Sequence, residues 1–122
     1  MNYDINKLTK ALEEHADYLR TGDVSKRAYL RNADLSGADL RCEYLINADL
    51  SGADLSGAYL RCADLSDAYL SDAKLSGADL RCADLSDANL RGADLSCADL
   101  SDAKLSGAIL PKEPDRAEIS NG

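Results

Sequence analysis

The chain has 122 residues, 22 of them acidic and 14 basic, for a net charge of −8. A single domain with that balance lacks the surplus of Lys and Arg that a nucleic-acid backbone demands, so the charge serves solubility or a basic partner surface. No apolar run reaches membrane-spanning length. Met1-Asn2-Tyr3-Asp4 has neither the basic flank nor the apolar stretch of a leader peptide, so the expected setting is the cytoplasm, with thiols reduced.

Residues 1–27 are expected to form a capping helix and its connection. Ile5, Leu8, Leu12, Ala16 and Leu19 recur three or four residues apart and fall on one helical face, with Lys7, Lys10, Glu13, Glu14 and Asp17 mostly elsewhere. Asn2 or Asp4 suits the start of this helix and Gly22 its stop. One helix cannot hide its own apolar stripe. The expected use of the stripe is to cover the first turn of the array that follows, because a solenoid end otherwise exposes core side chains and unpaired backbone. A membrane-surface role fits less well, since the polar face is mixed in sign rather than basic.

In residues 28–110 a leucine falls on every fifth position from Leu30 to Leu110, seventeen in all, and an alanine stands two residues earlier in every unit but one, where Glu43 replaces it. Along an α-helix every fifth position drifts by about 140°, and along a strand it alternates faces, so neither element gathers the leucines into one core. A chain that turns a corner after each pentad does. The position two after each leucine supports this, because from Asn32 to Gly107 it is always Gly, Asp, Asn or Cys. Three of these four types accept turn geometry and positive φ. The glycines and serines are therefore corner chemistry, and no catalytic role is assigned to them.

With units such as Ala33-Asp34-Leu35-Ser36-Gly37, the stretch from Arg27 to about Pro111 resembles the pentapeptide repeat family, whose pattern is A(D/N)LXX. The resemblance implies an all-β solenoid: a right-handed quadrilateral β-helix with one pentad per side, four per coil, and the Leu and Ala positions pointing inward. Seventeen pentads then make about four coils, a rod about 20 Å tall at ordinary β spacing, with an N-terminal α-helical cap. Leu12 to Leu19 is more loosely similar to the capping helix of some bacterial and phage members.

Residues twenty apart should then stack in columns. Arg41, Arg61 and Arg81 form one, beside Cys42, Cys62 and Cys82. Two opposed sides are acidic: one carries Asp64, Asp67, Asp84 and Asp87 between Tyr44 and Lys104, and the other carries Asp34, Asp54 and Asp94, interrupted by Lys74. Two readings stay open for these strips. Asp is a common residue of the motif whose short side chain suits the loop, or the strips form a partner-binding surface. The cysteines lack a Cys-x-x-Cys pair and the sole histidine, His15, lies in the helix. No closed zinc site is encoded, no metal or cofactor is expected, and the thiols read as small corner residues. Glu43 sets a carboxylate toward a leucine core, which is costly. It is expected to mark a local adjustment where the helix or its connection packs, with a binding role as the alternative. Residues 111–122 form a polar tail with too few apolar residues to cap the far end. That leaves Ile109 and Leu110 either shielded by the tail or joined to a second copy, with homodimerisation expected through this end.

There is no nucleophile–base pair, no phosphate-binding glycine loop, and no carboxylate pair distinguishable from the aspartate repeat. The expected function is that of a non-enzymatic structural and interaction module, a rigid acidic rod that docks on a protein partner. The family resemblance implies an alternative: modulation of DNA gyrase or topoisomerase by a rod that mimics DNA in width and charge, as in the quinolone-resistance members. The acidic strips agree with that alternative; the array is shorter than those rods.

Overall fold

Asp4 starts the first element. Its carboxylate accepts the Asn6 amide at 2.8 Å, satisfying one of the amide donors that a helix start leaves unpaired. The helix, α1, runs over Ile5–Thr21 and ends at Gly22, whose left-handed backbone (φ 80°) lets its N–H donate to the Tyr18 carbonyl. The structure is a computed structural model that describes residues 4–112; Asn2 and the tail from residue 113 lie outside them. A 3-10 turn, Val24–Lys26, leads from α1 into the array.

Each pentad forms one side of a four-sided coil. Parallel bridges pair residues twenty apart without a break, from Tyr29 with Asp49 to Asn89 with Ile109, so four pentads make one circuit. A single unit shows how coils are joined. Leu50 N–H donates to the Tyr69 carbonyl at 2.7 Å, Gly52 N–H donates to Ser71 at 2.8 Å, and Tyr69 N–H returns to Ala48 at 2.9 Å. Corners are turns closed by the next alanine, as where Ala53 N–H donates to the Leu50 carbonyl at 3.0 Å. Every corner residue from Asn32 to Gly107 has φ between 58° and 75°, while the residue before it does not. Positive φ at the third turn position alone is the type II signature, and it explains why only small residues stand there. At Gly52 a Cβ would overlap the Asn32 side-chain oxygen in the coil below, so any other residue there requires that exposed amide to swing aside.

The core is what the register predicts. Each leucine from Leu35 to Leu95 is at most 1 % exposed, and full burial of such a side chain is worth about 1.5–3 kcal/mol. The ladder loosens at the far end, where Leu105 and Leu110 are half-buried and Ile109 is exposed.

The covering face of α1 differs from the one expected. Leu8 and His15 are its buried residues, with Ala11 and Leu12 packed against the same core. Ile5 is 68 % exposed and Ala16 is also exposed. The helix is rotated toward His15 because that ring bonds the coil edge, which outweighs burial of one more methyl group at Ala16.

Candidate functional site

The four sides of the rod carry different chemistry. The two acidic strips lie on opposite sides, as the columns predicted: Asp34, Asp54, Lys74 and Asp94 bridge in succession on one, and Tyr44, Asp64, Asp84 and Lys104 on the other. Between them, one side carries Asp39, Tyr59, Asp79 and Asp99, and the opposite side carries Tyr29, Asp49, Tyr69, Asn89 and Ile109.

The aspartates of the strips also hold the backbone. Asp34, Asp54, Asp64, Asp84 and Asp94 each accept the N–H of the serine two residues on, at 2.9–3.2 Å. On the other two sides Asp49 and Asp99 accept the serine N–H two residues on, and Asp39, Asp79 and Asn89 accept that of Arg41, Arg81 and Arg91. This is the Asx-turn, and it supports the corner of the pentads that carry Asp or Asn at this position. Several of the serine hydroxyls donate to the same oxygen, in Asp34, Asp64, Asp94 and Asp99. Hydrogen bonds from the serine side chain and then its amide hold the Asp34, Asp84 and Asp94 carboxyls below the ordinary range. One oxygen is thus engaged with the chain, and the half-buried carboxylate is fixed in direction. Asp67 and Asp87 differ: both sit at corners and are exposed.

The arginine column pairs where a carboxylate stands two residues earlier. Arg41 grips Asp39 through two bonds of 2.8 and 2.7 Å, and Arg81 grips Asp79 with the same lengths. These bonds lower both aspartate pKa values to about 2. Tyr59 occupies the corresponding place before Arg61. Cys42, Cys62, Cys82 and Cys97 are free and exposed, each at a corner with φ of 60–61°. Among the described residues no group of three or more His, Cys, Asp or Glu is placed to hold a metal ion, and no helix is long and apolar enough to cross a membrane.

The near end is closed by specific bonds. The His15 ring accepts the Ala28 N–H at Nδ1 (2.9 Å), which leaves the proton on Nε2 to be donated to the Ile46 carbonyl (2.8 Å). One coil higher these backbone groups pair within the array: Ala48 N–H donates to Leu45, and Ser66 carbonyl accepts Asn47 N–H. The imidazole therefore stands in for the preceding corner at Ala28, and for the coil that is missing below at Ile46. Arg27 Nε donates to the Asn47 carbonyl, its guanidinium lies over the Tyr29 and Tyr69 rings, and Asn47 Nδ2 donates to the Tyr18 hydroxyl. Three of these attachments, His15 to Ile46 and Arg27 and Tyr18 to Asn47, meet the pentad from Glu43 to Asn47, the unit that breaks the alanine rule. Glu43 is half-buried and faces a groove of about 380 Å³ beneath α1.

The sequence model described as pentapeptide repeats matches in eight copies, over residues 26–42, 44–77 and 68–107. The chain belongs to the pentapeptide repeat family. Among solved structures it is similar to a pentapeptide repeat protein, Rfr23, from the cyanobacterium Cyanothece 51142 (37 % identity, TM-score 0.69, 77 % of this chain and 62 % of the other). It is also similar to one from the Arabidopsis thaliana thylakoid lumen (34 %, TM-score 0.67, 75 % and 61 %). A third is alr5209 from Nostoc PCC 7120 (34 %, TM-score 0.65, 86 % and 94 %). The chain thus spans about three fifths of the length of the first two. No curated protein matches it.

The pentapeptide repeat pattern accounts for most of the surface, and what it leaves over is at the near end. His15, the sole histidine, lies within the Leu12 to Leu19 segment of the helix. Its spacing from Leu8 and Leu12, seven and three residues, was the signal that it shares their face. The groove under α1 had no signal beyond the anomaly of Glu43.

Proposed function

We propose that this pentapeptide repeat protein is a non-enzymatic interaction module: a right-handed quadrilateral β-helical rod whose acidic sides dock on a basic surface of a protein partner in the cytoplasm. The observation that carries this reading is the fixed direction of the strip carboxylates. Asp34, Asp54, Asp64, Asp84 and Asp94 are held by their own turns, so an acidic array is presented at intervals of about 4.8 Å per coil with little side-chain entropy left to lose on binding. Asp67 and Asp87 widen one strip at its corner. Ordered charges of one sign speed encounter and fix register with an oppositely charged partner. No cofactor enters this reading. The half-buried Leu110 and the exposed Ile109 support a second copy joined at the far end, which a measured solution mass tests.

The experiment is quantitative affinity capture from an extract of the source cell with the wild type and with a D64N/D67N/D84N/D87N variant. A protein retained by the first and lost with the second supports the reading, and identical capture profiles refute it. The second reading, modulation of DNA gyrase or topoisomerase by DNA mimicry, draws on the same two acidic sides. A supercoiling assay with and without a quinolone separates the two, since no effect at micromolar protein removes the topoisomerase reading alone.

A further inference from the structure

Of the seventeen units in the array, one carries a carboxylate at the inward alanine position, and that carboxylate opens into a groove. The groove lies between α1 and the first coil and measures about 380 Å³, at the lower end of the range of about 300–1,000 Å³ that holds small ligands and side chains. Its apolar lining is Ile5, Leu8, Leu12 and Ala16 of α1, and its polar lining includes Glu13 and Glu43. Ile5 and Ala16 belong to the apolar stripe that the coil leaves uncovered. The third carboxylate at the groove, Asp39, is already gripped by Arg41. Among the described residues the Glu43 and Glu13 side chains have neither an ion pair nor a hydrogen bond.

We infer that this groove binds a lysine or arginine side chain of the protein partner, carried on a segment with apolar neighbours. The chemistry of the two halves requires such an occupant. A long basic side chain lays its methylene stem on apolar surface while its charged head stays in water or on a carboxylate, and here the lining offers the apolar side chains of α1 beside two unengaged carboxylates. An acidic or purely apolar segment would leave Glu43 half-buried without compensation. Glu43 is then a specificity residue, which accounts for its departure from alanine at the unit where the helix docks. The inference rests on the partner-binding reading above and adds a second contact region at the near end, apart from the Asp64–Asp87 strip.

The test is a ¹⁵N-resolved NMR titration of the full chain with an acetylated, amidated Leu-Lys-Leu peptide and its norleucine analogue, Leu-Nle-Leu. The expected result is saturable shifts at the amides of Leu12, Ala16 and Glu43, with affinity about tenfold weaker, or about 1.4 kcal/mol, for the norleucine peptide or for Glu43→Ala. That variant keeps its fold because alanine is the residue the other sixteen units carry. No groove shifts at millimolar peptide, or unchanged affinity in E43A, overturns the inference. So does a wild-type dimer that E43A converts to a monomer, since the groove then belongs to a second copy. Shifts confined to the Asp64–Asp87 strip overturn it while leaving the partner-binding reading intact.

Discussion

Replacing His15 tests how the near end is held. The ring is fully buried, and His15→Ala strands the Ala28 N–H and the Ile46 carbonyl that it now satisfies. A buried polar group left unpaired costs about 1–3 kcal/mol, so the pair costs about 2–6 kcal/mol. His15→Phe keeps most of the ring volume and loses both nitrogens, so the bonding account gives it a loss of the same order, whereas a pure packing account gives it a small one. pH supplies a second arm. Burial lowers the His15 pKa below its ordinary value; the Ile46 carbonyl opposes the shift and the charge of Arg27 adds to it. Tyr18 also faces the ring, at 5.3 Å between centroids. The unfolded chain therefore takes up the proton first. The stability is complete above the unfolded value of about 6.5 and falls as pH drops from there through the lowered folded value. His15 is the sole histidine, so guanidinium denaturation of the wild type at pH 7 and pH 5 isolates it. The wild type should lose stability across that interval and H15F should not. A flat wild-type profile, or an H15F profile with the same slope, would refute the reasoning.

Other expectations follow from the ladders and corners. Leu65→Ala, at 0 % exposure, should cost about 2–5 kcal/mol through its cavity, and Leu105→Ala, half-buried at the open end, distinctly less; equal losses by denaturation would contradict a graded core. At the corners, Gly57 has φ 65° with open space where a Cβ would go, so Gly57→Ala should cost about 1–2 kcal/mol from backbone strain alone. Cys62→Gly relieves the same strain at φ 61° and should be neutral or stabilising by up to about 1 kcal/mol, the gain being cut by the entropy of an unfolded glycine; a clear loss in the same assay would show that the thiol makes a needed contact. Asp39 and Asp79 titrate near 2 because of Arg41 and Arg81. What these pairs contribute is present above the ordinary value of about 3.9 and is lost as pH falls through about 2; carboxyl NMR titration showing ordinary values would remove the paired geometry.

Much of the fold was legible because a period of five excludes a single helix or strand, and the small residues at the corners explain how the chain can turn. Leu30 to Leu110 could be placed inward from spacing alone. The chemistry of the aspartates was only half legible. Their frequency pointed to a motif, but sequence does not say that Asp64 closes a turn through Ser66. The near end was least legible, since its contacts join residues far apart in the chain: His15 to Ala28 and Ile46, Tyr18 to Asn47. No periodicity relates such pairs. The departures at Glu43 and Ile46 were visible as anomalies, and the structure shows what they adjoin.

Residue-resolved amide hydrogen exchange on the intact chain tests the account most directly, because it reads both ends and the register at once. In the middle coils each leucine N–H donates to the coil above, through Leu90 to the Ile109 carbonyl. Among the described residues Leu95, Leu100, Leu105 and Leu110 find no such acceptor. The account predicts strong protection from Leu30 to Leu90, weak protection at those last four leucines, and protection at Ala28 comparable to the middle coils, since His15 holds that amide. Rapid exchange at Ala28 beside protected leucines would contradict the His15 closure, and uniform protection through Leu110 would contradict the loosened ladder at the far end.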